Sequence, residues 1–263
     1  MHIRNRVLWS TLPVAVLVAA TLLAADEKAA SIDEALAKLG DADPAVRNAA
    51  TEDLMQRADL TDEHIAVALA AGALPEQRHR LIRIVTHRFL VQWADQAESQ
   101  RADEPPDDQH LQADAEVPGT GCVGVSFEID LTDRTGRTVK PKAVVLGTAP
   151  GLPGYVVMRP GDVIMAMNGK PLPADLDPRG AKFRALIQQH QPGTAITFDI
   201  RRGSTALRKS ITLVATRRLQ HLYSPQSTVL KPELQRALTT HLEDLGAGIE
   251  PAEPIRVPES PAE

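Results

Sequence analysis

Apolar residues recur along this chain with two different periods. From Ser31 to Ser99 they return every three to four positions, the spacing of one helix face. Ser31-Ile-Asp-Glu34 reads as a capping box, with Ala35, Leu36 and Leu39 on the apolar face and Gly40 as the stop. Asp43-Pro44 opens a second helix carrying Val46, Ala49, Ala50, Leu54 and Met55. Thr61 opens a third, which runs to Ala71. Pro75 opens a fourth, whose buried side is expected to be Leu81, Ile84, Val85, Phe89 and Trp93.

From residue 120 to 216 the period changes to two. Val125, Phe127 and Ile129 alternate with Ser126, Glu128 and Asp130, the pattern of a half-buried strand. Asp133-Arg-Thr-Gly136 predicts a hairpin turn and Ala143 to Leu146 a second strand. Pro160-Gly161 and Asn168-Gly169 punctuate a short apolar run, Val163 to Met167. Phe183 to Gln189 predicts a short helix ended by Pro192-Gly193. Ala195 to Ile200 and Ser210 to Val214 predict strands joined at Arg202-Gly203, and Pro232 to Leu245 a last amphipathic helix.

The fold class expected is α+β, with a small all-α bundle followed by a partly open β-barrel or sandwich with one or two helices. The boundaries are residues 26–99 for the helical domain, 100–118 for a linker, 119–218 for the strand-rich domain, 219–250 for a helical extension and 251–263 for a proline-rich tail. The linker is acidic and holds Pro105-Pro106. Its carboxylates lack the alternating spacing of a calcium loop.

Composition narrows the function. Net charge is -5, and only two Trp, two Tyr and four Phe are present, so neither the basic footprint nor the stacking platform of a nucleic-acid binder is there. Arg4 and Arg6 precede a nearly unbroken apolar run from Val7 to Ala25. Residues 1–25 are therefore expected to be a signal peptide, which places the protein in the periplasm or cell envelope; an uncleaved anchor is the other reading, and the only one that gives membrane contact. Removing them takes away both arginines and no acid, which moves the net charge from -5 to -7. Cys122 is the single cysteine and cannot form an internal disulfide.

Two segments carry a family resemblance. Arg159-Pro-Gly-Asp-Val-Ile-Met-Ala-Met-Asn-Gly169, taken with Cys122-Val-Gly-Val125, resembles a PDZ domain of the bacterial HtrA type over about residues 119–216. Leu39-Gly-Asp-Ala-Asp-Pro-Ala-Val-Arg47-Asn-Ala-Ala resembles one to two HEAT-type helical repeats, and a generic capped helix pair fits it equally. Departures from the PDZ pattern are a Gly/Pro-rich stretch at Ala149–Tyr155, where the usual short helix is expected to be missing, and an inserted stretch at Thr132–Lys142.

The PDZ resemblance implies a site for protein C-termini or extended peptides. Cys122, Val123, Gly124 and Val125 would form the carboxylate loop, with glycine as the pivot. Val125 to Ile129 would be the strand edge that a peptide joins. Ser126, Phe127, Lys182, Leu186 and Gln189 would line the groove, with Phe183 and Ile187 turned to the core. Lys182 would stand where many animal relatives carry a selectivity histidine. No protease motif accompanies these residues: there is no Gly-x-Ser-x-Gly, no Gly-Asn-Ser-Gly-Gly and no His-Glu-x-x-His. His79 and His87 read as surface residues. The expectation is a non-enzymatic binding module without cofactor or metal. Two other readings are a structural adaptor with a silent groove, and an accessory subunit of an envelope protease.

Overall fold

The helical layer begins at Ser31, whose hydroxyl accepts the Glu34 N–H at 3.1 Å. In the computed structural model, which describes residues 31–103, 120–132, 138–224 and 229–247, this cap opens α1 (Ile32–Ala37). Asp43 caps α2 (Pro44–Gln56) through Ala45 N–H, with proline in the first turn. Thr61 caps α3 (Asp62–Ala70) in a reciprocal box closed by the His64 ring rather than by a carboxylate. α4 (Pro75–Asp103) runs past the expected end at Ser99, about 43 Å at 1.5 Å per residue. Its first half buries Leu81, Ile84 and Val85 against α1, α2 and α3, as the periodicity predicts; Phe89 and Trp93 are only partly buried, and Leu90 and Ala94 take the fully buried positions.

The strands form an open antiparallel sheet, not closed into a barrel, in the order β2-β3-β4-β6-β7. These are β2 (Val125–Thr132), β3 (Thr138–Thr148), β4 (Val163–Met167), β6 (Ala195–Arg202) and β7 (Thr205–Thr212), and the short β5 (Lys170–Pro171) pairs with β4 alone. A separate two-stranded ribbon joins β1 (Gly121–Cys122) to β8 (Val214–Ala215). The partly open barrel or sandwich expected from the sequence is thus corrected: among the described strands, β2 and β7 are both edges. The overall class is α+β.

Three further differences concern local structure. The stretch before Arg159 does contain a short helix, α5 (Gly154–Val157). β3 starts ahead of the expected Ala143, and its added residues extend the β2–β3 ladder, with Asp130 opposite Lys142. A helix that the periodicity did not indicate, α7 (Thr216–Leu222), follows β8. The remaining helices lie where expected, α6 at Ala181–Gln188 and α8 at Pro232–Asp244. The expected signal peptide, the segment 104–118, the expected turn at 133–136 and the expected tail fall outside the described residues.

Packing joins the layers. Leu238, Leu242 and Leu245 at the C-terminal end bury themselves in the helical core, and Arg78 donates to the carbonyls of Gly246 and Ala247. Full burial of each leucine contributes about 1.5–3 kcal/mol. Between α2 and the sheet stands an ionic cluster. Asp162 has no exposed surface; it accepts Arg202 Nε and Nη2 at 2.7 Å each and the Arg159 N–H at 2.9 Å. Glu52 of α2 accepts Arg159 Nη2 at 3.1 Å and Lys209 Nζ at 2.8 Å. The Arg159–Gly169 segment thus anchors the sheet to the helices. His87 is not a surface residue: it is 5% exposed, its ring is stacked on Tyr155, and its Nδ1 accepts the Gly151 N–H at 3.1 Å.

Candidate functional site

Gly124 sits at φ +75°, in the left-handed region that glycine tolerates. A Cβ there would also lie 2.3 Å from the Leu152 Cβ. Gly154 is needed for a second close approach, since a Cβ would meet Val125 Cγ2 at 2.4 Å. The two glycines let the chain between β1 and β2 press against the loop at Ala149–Gly154.

That contact orients the backbone. The carbonyls of Val123 and Gly124 accept the N–H groups of Gly154 and Ala149 at 2.8 and 2.9 Å. Every peptide unit here is trans, so the amides of Gly124 and Val125 point the opposite way, away from the Ala149–Gly154 loop. Successive amides turned to one side make a concavity suited to an anion. The Gly124 N–H meets the Cys122 thiol, whose pKa burial raises against that hydrogen bond.

The β2 edge continues the same pattern. The bond from Ala149 to Gly124 makes Val125 and Thr148 a non-hydrogen-bonded pair, so the Val125 N–H and C=O face outward from the sheet. Val145, opposite Phe127, donates its N–H to Asp162 O and accepts the Gly161 N–H at its own C=O, both on the far side, which leaves the Phe127 backbone facing outward as well. Side chains on this strand split in the opposite sense: Phe127 and Ile129 are buried and Glu128 is exposed.

Across from that edge stands α6. Asp177 starts it by accepting the N–H groups of Ala181 and Lys182 at 3.0 and 2.8 Å, and those bonds hold its carboxyl below the usual range. Phe183 and Ile187 are buried, and Phe183 meets Phe127 edge to face with ring centroids 4.9 Å apart. Between β2 and α6 lies a cavity of about 310 Å³. For comparison, an apolar cavity of about 150 Å³ holds benzene.

Of the residues singled out in the sequence, Cys122, Val123, Gly124, Val125, Ser126 and Phe127 all line this cavity. Lys182, Leu186 and Gln189 do not. The wall from α6 is Phe183, Arg184, Ile187 and Gln188. Lys182 points elsewhere, to Asp175 at 2.8 Å. A helix with its core stripe at Phe183 and Ile187 has two flanks, about 100° to either side. The flank of Lys182 and Leu186 lies on the far side of that stripe, and the flank of Arg184 and Gln188 faces β2. Arg184 stands 5.9 Å over the Phe127 ring, the basic residue beside the strand. Sequence reasoning also missed Met158, Ile164 and Phe198 at the cavity's base, and Thr216, Leu219 and Tyr223 at its β1 end. Ile164 and Phe198 lie in strands that the sequence predicts, whereas Met158 follows the irregular stretch at Ala149–Tyr155. No local signal marked the last three.

Among the described residues no cluster of His, Cys, Asp and Glu could hold a metal, and no helix is long and apolar enough to cross a membrane.

Neither a family model nor a curated protein matches the chain. Solved structures do. The HtrA-type protease AlgW with a decapeptide is 20% identical at a TM-score of 0.31, over 41% of this chain and 33% of that one. A variant of the same protease with a decapeptide gives 20%, 0.33, 41% and 32%. A putative S41 protease from Bacteroides fragilis NCTC 9343 gives 15% and 0.24, over 49% of this chain and 35% of that one. The chain thus spans about a third of the length of these proteins. HtrA-type and S41 proteases are enzymes, so the expectation that the chain is not an enzyme is withdrawn.

Proposed function

We propose that the protein binds extended segments of other proteins, ending in a free carboxylate, in the groove between β2 and α6. This is the PDZ-type reading of residues 119–218, with a HEAT-like helical domain before it. The observation that carries it is the edge position of β2 among the described strands, with Val125 and Phe127 backbone groups turned outward over an apolar cavity. An incoming strand would continue the sheet, and its last side chain would enter the cavity. The amide of Val125, and that of Gly124 in exchange for its contact with the Cys122 thiol, would receive its carboxylate. The apolar run at Val7 to Ala25 supports an exported protein that meets its partners in the cell envelope.

Three forms of each C-terminal peptide test the mode directly: the free acid, the C-terminal amide, and a form N-methylated at alternate backbone positions. Fluorescence anisotropy should show the free acid binding best, with about tenfold or greater loss on amidation or on methylation of the ladder positions. Equal binding of all three forms, or no binding across a diverse library, would sink the proposal and leave the adaptor reading.

A further inference from the structure

The β1 end of the cavity is closed by a helix outside the strand-and-helix frame of the groove. Thr216, which opens α7, donates its N–H and its hydroxyl to Thr120 O at 3.0 and 2.9 Å, which sets α7 beside β1 and Cys122. Thr216, Leu219 and Tyr223 line the cavity there. The Tyr223 hydroxyl is taken by Pro150 O at 2.8 Å, so its ring is fixed. Leu219 is half-buried and is the aliphatic side chain of α7 among the cavity's lining residues.

α7 is held from behind as well. Arg218 donates to Val91 O at 3.0 Å and to Asp95 at 2.6 Å, both on α4, and Leu222 is fully buried, packed close to Gly151. A wall held on both sides does not swing aside to suit a larger guest. The cavity at this end therefore has a fixed width, set by Leu219.

We infer that Leu219 is a specificity-determining residue, the wall that the last side chain of a bound segment meets. This rests on the peptide-groove reading above. It follows from position: a carboxylate received by the Gly124 and Val125 amides puts the adjoining side chain next to Cys122 and α7. Apolar pockets discriminate by roughly 10- to 200-fold per methylene gained or lost, so the residue after the last strand selects among ligands that the groove itself would accept alike.

The test uses the full chain and N-terminally labelled peptides with one common body, ending in Ala, Val, Leu, Phe or Trp as the free acid. Leu219→Ala should raise the ratio of Trp-ended to Val-ended affinity by about tenfold or more over wild type. Leu219→Trp should lower it by a similar factor. Leu219→Met, which keeps the volume, should leave the ratio within about twofold, as should Gln220→Ala on the exposed side of α7. Thermal melts identify any variant that fails to fold, and Leu219→Met against Leu219→Ala then carries the comparison. Opposite shifts in the two size-changing variants support the inference. Ratios that stay at the wild-type value while binding persists overturn it and leave the groove standing, as does uniform loss toward all endings. Absence of wild-type binding to the whole series overturns the groove reading and this inference with it.

Discussion

Replacing Gly124 with alanine perturbs the loop at a point where two costs can be separated. A side chain at φ +75° carries about 1–2 kcal/mol of left-handed strain. The added Cβ would also stand 2.3 Å from Leu152 Cβ and 2.5 Å from its Cδ1, in a side chain with no exposed surface to retreat to. Such overpacking costs about 1–3 kcal/mol. The sum, about 2–5 kcal/mol, is a large part of the 5–15 kcal/mol typical of a folded domain. Equilibrium unfolding in urea, followed by tryptophan fluorescence, measures it. Leu152→Ala completes the cycle: alone it opens a cavity at a cost of about 2–5 kcal/mol. In the double variant the clashes with Leu152 Cδ1 and Cγ are gone while that with its Cβ at 2.3 Å remains, so the combined loss should fall short of the sum by part of the overpacking cost only, about 1 kcal/mol. A Gly124→Ala loss below about 1 kcal/mol, or additivity within about 0.5 kcal/mol, would refute the claim that these two residues hold the loop by contact.

Burial, with Arg218, Arg83 and Arg88 nearby, lowers the His87 pKa from 6.5 to about 4. The unfolded chain therefore binds the extra proton between those values. The stability this represents is present above pH 6.5 and is lost as pH falls toward 4, by about 3 kcal/mol, and the wild-type minus His87→Asn difference in unfolding free energy should trace that window. Asp162→Ala strips the buried carboxylate from Arg202 and should cost about 3 kcal/mol in the same assay, whereas Lys182→Ala, at an exposed pair with Asp175, should leave the transition unmoved. The Cys122 thiol, raised in pKa by burial, should react with a disulfide reagent at least about tenfold more slowly in the folded chain than in denaturant. A bound peptide should slow it further if the cavity is the site.

The sequence by itself determined the local elements of this protein. Caps at Ser31, Asp43 and Thr61 fixed where helices start, because a side-chain oxygen either satisfies the free amides or does not. Alternation through Val125, Phe127 and Ile129 fixed which side of β2 is buried, and glycine at 124 marked a turn that no other residue makes cheaply. These are short-range constraints, and each is legible within a few residues.

The rest was decided by tertiary contacts. Both flanks of the α6 core stripe carry a basic residue, Lys182 on one and Arg184 on the other. Only the placement of α6 beside β2 decides that Arg184 enters the site while Lys182 turns to Asp175. His87 reads as one more polar residue on a long helix. It is buried because the Gly151–Tyr155 loop, more than sixty residues later, closes over it. Leu219 belongs to a short helix whose weak periodicity gave no warning, and it reaches the cavity because Thr216 ties α7 to Thr120. In each case the deciding partner lies far along the chain, where composition and spacing carry no information about which face meets which.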